Sequence, residues 1–259
     1  MLNNPAKERM RAGGLALGMI VRMASSPDIA RIAKTSGHDF LFLDMQHALF
    51  DVEALGAVAQ IARACGVSPF ARARGLADPD IPRLLDHGVN GVIFPDINTP
   101  EEARRAVEIC RFAPGGKRSV AGGYPVFDFR PVPLAETIAS LNGEMLVVCM
   151  VETAEGLANA DAIAAVPGVD VVHIGCSDLS IALGKPGAFS DPEIVSAVHR
   201  VIDVCKAHGK WSGFGGDKDL ARQAKYIRAG IQFVTTQTDI AMLMAEATRR
   251  VTELREASS

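Results

Sequence analysis

Met145-Leu146-Val147-Val148-Cys149-Met150-Val151-Glu152 and Val169-Asp170-Val171-Val172-His173-Ile174-Gly175-Cys176-Ser177-Asp178 are two strand-like runs that each end in a carboxylate, with one helix-length segment between them. Strand, helix and strand in that order make a parallel crossover unit, which brings the two carboxylates to one rim of the sheet. Two hard oxygen donors there suit Mg²⁺ or Mn²⁺, which take carboxylate and water oxygens and keep positions open for waters and substrate. An open metal of this kind is a Lewis acid.

The same alternation continues outward in both directions, the signature of a parallel sheet with crossover helices. Strands are expected at Leu15 to Val21, Phe40 to Asp44, Pro69 to Arg72, Gly91 to Pro95, Met145 to Glu152, Val169 to Gly175, Trp211 to Phe214 and Ile231 to Thr235. Helices are expected at Pro27 to Thr35, Val52 to Ala64, Asp78 to His87, Thr99 to Phe112, Ala154 to Ala164, Pro192 to His208, Asp219 to Ala229 and Asp239 to Glu256. Thr99-Pro100-Glu101-Glu102 and Ser190-Asp191-Pro192-Glu193 read as helix starts, and Gly37, Gly88, Gly209 and Gly230 as stops. Eight units predict an α/β fold, a single (β/α)₈ TIM barrel over residues 1–259. A Gly/Pro-rich stretch from Pro114 to Pro133 reads as a long loop, the kind that is usually functional or mobile.

At 259 residues and 48% hydrophobic content the chain is long enough for one large barrel core, and no linker divides it. Its net charge of −3 comes from interspersed acids and bases without a basic block, so nucleic acid is not an expected partner. Five cysteines, odd in number and without a Cys-x-x-Cys pair, read as reduced and cytoplasmic. Lys7, Arg9 and Arg11 before the apolar run Ala12 to Val21 loosely mimic a secretory signal, but Gly13, Gly14 and Gly18 interrupt the run and the barrel needs it as the first strand. No stretch approaches membrane-spanning length.

Catalytic groups of such barrels sit where strands run into their following helices. Here those positions are polar: Asp44 and then His47 after the second strand, Arg72 and Arg74 after the third, Glu152 after the fifth, Asp178 just past the sixth. Together with Leu17-Gly18, Thr35-Ser36-Gly37-His38-Asp39-Phe40, Asp44-x-x-His47, Leu84-Leu85-Asp86-x-Gly88, Glu152-Thr153 and Ile174-Gly175-Cys176-Ser177-Asp178-Leu179-Ser180, they make the chain resemble the HpcH/HpaI aldolases almost end to end. These are class II metal-dependent pyruvate aldolases of the phosphoenolpyruvate/pyruvate-binding barrel type, such as 4-hydroxy-2-oxo-heptane-1,7-dioate aldolase.

The resemblance implies that Glu152 and Asp178 ligate a divalent cation (Mg²⁺, Mn²⁺ or Co²⁺) that chelates a 2-oxo acid, with Arg72 beside the developing enolate oxygen. It implies proton transfer by His47 with Asp86, a less defined role for Asp44, and a carboxylate cradle of backbone amides at Gly175, Cys176, Ser177 and Asp178. The substrates would be a small 2-oxo acid and an aldehyde. It also implies a homohexamer, a trimer of dimers with the last helix exchanged, which the apolar stripe Ile240, Met244, Ala247 and Val251 permits. The chain departs from the family pattern at Gln46, Met150, Cys176-Ser177, Gly116-Lys117-Arg118-Ser119 and Thr235-Thr236-Gln237, which leaves aldehyde and nucleophile preference open.

Blander readings stand beside these. Glu152 and Asp178 would each suit a helix N-cap, His173 a hydrogen-bonded core position, Arg118 either a solvated loop or an anion clamp, and the cysteines packing. A Schiff-base mechanism needs a lysine projecting from a strand end, whereas Lys210 begins its strand and Lys218 lies in a loop. A malyl- or citramalyl-CoA-type lyase, an oxaloacetate decarboxylase and a noncatalytic keto-acid binder are the competing functions.

Overall fold

The structure, a computed structural model, describes residues 2–258. Its elements are α1 (Pro5–Arg11), β1 (Ala16–Val21), α2 (Asp28–Thr35), β2 (Phe40–Asp44), α3 (Val52–Ala64), β3 (Ser68–Arg72), α4 (Ile81–Asp86), β4 (Gly91–Phe94), α5 (Pro100–Cys110), α6 (Leu134–Glu144), β5 (Leu146–Val151), α7 (Ala154–Ala158), α8 (Ala160–Ala164), β6 (Val171–Gly175), α9 (Cys176–Ala182), α10 (Pro192–Ala207), β7 (Trp211–Gly215), α11 (Leu220–Ala229), β8 (Ile231–Thr238) and α12 (Asp239–Ala257). The eight strands pair in sequential parallel order and close, β8 against β1. The expected eight strands are all present.

Two apolar layers explain the closure. Val172 and Ile174 of β6 face outward with Leu41, Val92 and the inner faces of the helices, while Val171, Phe40, Phe70, Val148 and Phe233 fill the barrel interior. Inside, the Phe40 and Phe233 rings stack with centroids 4.1 Å apart and Phe70 meets both edge-on, a favoured aromatic geometry. Strands buried on both faces read as continuous apolar runs, which is why they were legible.

Three helices were not expected. Helix α1 closes the end of the barrel where the strands begin. Met10 enters the interior, Asn4 donates to Asn90 O and Glu144 O, the Ala6 amide donates to Ser68 Oγ, and buried Lys7 Nζ donates to Gly143 O and Met145 O. Helix α6 follows the Pro114–Pro133 stretch, which holds only a short 3₁₀ turn at Pro125–Phe127. Helix α9 starts directly at the end of β6. Helix α12 packs little of itself on the barrel: Asp239 at its first turn is buried, whereas Ile240, Leu243, Met244, Val251 and Leu254 are exposed. No described helix is long and apolar enough to cross a membrane.

Candidate active site

A cavity of about 350 Å³ opens at the rim where the strands end, where barrels of this kind do their chemistry. Behind its wall lies Asp44, the last residue of β2 and fully buried. Its Oδ1 accepts from Arg72 Nε at 2.9 Å and its Oδ2 from Arg72 Nη2 at 2.5 Å and Arg22 Nε at 2.6 Å. Oδ1 also takes the amides of Gln46 and His47. Burial alone would raise the Asp44 carboxyl, but the hydrogen bonds and charge of Arg72, then of Arg22, outweigh it and hold the pKa below the ordinary carboxylate value. Asp44 does not itself line the cavity; its role is to aim two guanidinium groups and the His47 turn. Arg72, 5% exposed, crosses above the Phe42 ring and keeps Nη1 without a protein partner among the described residues.

Across the cavity, Glu152 follows β5 and is 3% exposed. Its Oε1 accepts the Asp96 amide at 2.9 Å, and its buried Oε2 has no partner among the described residues. Burial, opposed by that amide and reinforced by the charges of Asp96 and Asp178, pushes its pKa up to about 7. The N-cap reading of Glu152 does not hold, because Thr153 Oγ1 caps α7. Nor does Asp178 cap: it sits in the first turn of α9 and lines the cavity. A side chain at position 175 would have its Cβ 2.2 Å from Glu152 Oε2, so glycine there makes room for the carboxylate.

His47 lines the mouth of the cavity. Burial and then Arg72 lower its pKa, against the raising effect of Asp44 and, more weakly, Asp178, so the ring is neutral at pH 7. The expected pairing with Asp86 is not made within the chain. Asp86 ends α4, and a helix returning from the active rim ends at the opposite end of the barrel. There it accepts from Arg118 Nη2 at 2.9 Å, and Arg118 is buried over the Phe112 ring. Arg118 is thus neither a solvated arginine nor an anion clamp; it is the cation that a carboxylate at a helix C-terminus requires.

Three lining residues went unassigned from sequence. Arg22 follows β1 just as Asp44, Arg72 and Glu152 close or follow their strands. Lys218 comes from the loop after β7 and donates to Thr235 O at 3.1 Å; burial, with the charge of Arg22, lowers its pKa to about 8. His173 is not a hydrogen-bonded core residue: it lines the cavity floor edge-on to Phe233, and its buried Nδ1 is unpartnered. Burial, then Arg72 and Lys218, pushes its pKa down to about 3. The period of two signals its position, since Val171 points into the barrel and His173 shares its parity. In the next strand a Cβ at Gly213 would lie 2.5 Å from Nδ1.

The model of the HpcH/HpaI aldolase/citrate lyase family matches residues 18–245. The chain belongs to the HpcH/HpaI family. It is 36% identical over 216 residues to a 4-hydroxy-4-methyl-2-oxoglutarate aldolase of Hapsidospora irregularis, covering 82% of this chain and 80% of that one. It is 34% identical over 242 residues to a hydroxypyruvate/pyruvate aldolase of Pseudomonas aeruginosa, covering 93% and 89%. Among solved structures, an HpcH/HpaI aldolase of Desulfitobacterium hafniense superposes with a TM-score of 0.91 at 29% identity over 96% of each chain. As a member of the HpcH/HpaI family the protein is a carbon–carbon lyase.

The donors fit the divalent cation that the family implies. Glu152 and Asp178 have no cationic side chain paired to them among the described residues, one carboxylate oxygen is buried and orphaned, and like charges crowd the pair. No third His, Cys, Asp or Glu joins them among the described residues, which suits a hard ion that keeps water and substrate oxygens.

Proposed function

We propose that the protein catalyses reversible aldol cleavage of a 4-hydroxy-2-oxo acid to pyruvate, or a related 2-oxo acid, and an aldehyde, with Mg²⁺, Mn²⁺ or Co²⁺ held by Glu152 and Asp178. When bound, the cation supplies a Lewis acid to the C2 oxygen and carboxylate of the 2-oxo acid. The observation that supports this reading best is a guanidinium fixed by buried Asp44 facing an orphaned carboxylate oxygen in one cavity.

Cleavage of C3–C4 sends its electron pair towards C2, where negative charge grows on oxygen. Arg72 Nη1, free of protein partners among the described residues, donates to that oxygen; a preorganised donor of this kind is worth about 10²–10³ in rate. Neutral His47 at the mouth takes the proton of the C4 hydroxyl as C4 becomes a carbonyl; a proton then returns to C3 of the enolate to give the 2-oxo acid, and the synthetic direction reverses both transfers. The amides of Gly175 to Asp178 receive the substrate carboxylate. Met150, Phe42 and Ile20 give the floor an apolar lining that limits water.

Methyl-proton exchange of pyruvate in D₂O tests the reading without a choice of aldehyde. Exchange that needs Mg²⁺, Mn²⁺ or Co²⁺, stops with chelator and is lost in Glu152→Ala supports it; no exchange with any metal sinks it. Exchange of acetyl-CoA instead would point to the CoA-type lyase. Lys218 gives a second reading, because a cavity amine with a pKa lowered to about 8 suits a Schiff base. Borohydride with pyruvate decides between them: a mass increment on Lys218 would replace the metal mechanism.

The chain is also proposed to assemble through α12 into a trimer of dimers. Five large apolar side chains on that helix are exposed, and fully burying such side chains stabilises by about 1.5–3 kcal/mol each. Light scattering after Met244→Glu and Val251→Glu reads this directly; an unchanged mass would exclude α12 from the interface.

A further inference from the structure

The side of the cavity away from Glu152 carries more positive charge than cleavage of a simple keto acid uses. Arg22, 34% exposed, spends Nε on Asp44 and has no protein partner for either Nη group among the described residues. Lys218 has three donors and makes one hydrogen bond, to Thr235 O. Its neighbour Asp217 is already held by Arg222 at 2.5 and 3.0 Å. The two cations come from β1 and the β7 loop and so flank β8, whose Thr235 lines the cavity between them. Thr235 is 1% exposed, and its buried hydroxyl has no partner among the described residues.

Charge balance leads the same way. Arg22, Arg72 and Lys218 offset Asp44, Glu152 and Asp178. Once a divalent cation is held, two positive charges are left over in a half-closed cavity, and a substrate dianion neutralises them. A monoanionic keto acid does not.

We propose that Arg22, Lys218 and Thr235 form a subsite for a second carboxylate, so that the carbonyl compound released or captured here carries a carboxylate beside its carbonyl and the aldol is a 2-oxo dicarboxylate. The proposal rests on the aldol reading of the same site. Lys218 stays mostly protonated at neutral pH; burial does most to depress its pKa, and an anion between it and Arg22 offsets the smaller, repulsive part. The ammonium and guanidinium give charge and direction, and the Thr235 hydroxyl supplies the remaining donor.

Calorimetric titration of the Mg²⁺-loaded protein with 2-oxoglutarate and with 2-oxopentanoate tests this at fixed ionic strength. The two ligands have the same carbon count and differ in a terminal carboxylate against a methyl. The wild type is expected to bind the dianion at least tenfold more tightly, and Lys218→Met, Arg22→Met and Thr235→Val are each expected to shrink that ratio, Lys218→Met to below about threefold. A wild-type ratio near one, or a ratio kept in both Lys218→Met and Arg22→Met, overturns the subsite. A variant that fails to fold is replaced by the other two. A kinetic arm compares kcat/KM for cleavage of 4-hydroxy-2-oxoglutarate and 4-hydroxy-2-oxopentanoate, and the same preference is expected there. Failure of the aldol reading shows separately, as absent pyruvate exchange, while the binding ratio still decides the subsite.

Discussion

The two ends of this barrel both carry partly or fully buried charges, and they treat them differently. At the end where the strands begin, carboxylates are matched by arginines: Asp170 with Arg111 at 2.7 Å, Asp39 with Arg9 at 2.8 Å, Glu144 with Arg63 at 2.9 Å, Asp86 with Arg118 at 2.9 Å. At the end where the strands finish, Asp44 takes two arginines and buried Asp78 and Asp217 one each, while buried Glu152 and exposed Asp178 take none among the described residues. Closed pairs hold architecture together, because breaking one leaves a charge in low dielectric. Glu152, buried and left without a cation, is costly to the folded chain and is made tolerable by something that binds.

Substitutions at the open end should act on chemistry, those at the closed end on folding. Glu152→Gln is expected to lower metal-dependent pyruvate exchange by at least about 10³-fold; exchange within tenfold of wild type would mean that the carboxylate is not a ligand. Its effect on stability has the opposite sign. The folded pKa of about 7 lies above the ordinary carboxylate value. The protonated form therefore stabilises the metal-free protein fully below about pH 4.5 and loses that contribution as pH rises through about 7, on the order of 3 kcal/mol in all. In chelator, the melting temperature of the wild type relative to Glu152→Gln should fall between pH 5 and pH 8 and then level off. A flat difference would remove the desolvated carboxylate from the account.

Arg111→Met should cost about 2–3 kcal/mol in denaturant unfolding, less than a fully buried pair because both groups keep some exposure. Activity per folded molecule should be little changed, and a selective loss of activity would erase the contrast between the ends. The smallest effect belongs to Cys176→Ser. Burial pushes the Cys176 thiol up to about 12, so no thiolate chemistry is lost. Turnover within about threefold of wild type is expected, and a drop beyond tenfold would give the sulfur a role.

Most of the barrel was legible because its strands are covered on both faces, which leaves uninterrupted apolar runs such as Phe40 to Leu43. Helix α1 escaped because buried Lys7 and the adjacent glycines do not look like a core element; its burial comes from carbonyls supplied by residues 143 and 145. Glu152, Asp178, Arg72 and His47 were found from strand-end position and resemblance, and the structure brings them to one cavity. Asp86 was assigned by resemblance and lies elsewhere in the chain. Arg22, His173 and Lys218 were missed for separate reasons. A residue one past a strand, an inward parity inside a strand and a loop that folds back over the rim all depend on three-dimensional closure that local pattern does not carry.

One carboxylate steering two guanidinium groups also limits how this enzyme can change. Arg72 is proposed to serve the reacting oxygen and Arg22 the second carboxylate, and both are aimed by Asp44. Turnover and substrate choice therefore share a pivot, and a substitution at position 22 that retunes selectivity will also disturb position 72. Variant libraries that alter positions 22 and 44 together should reach activities that stepwise change at either one does not.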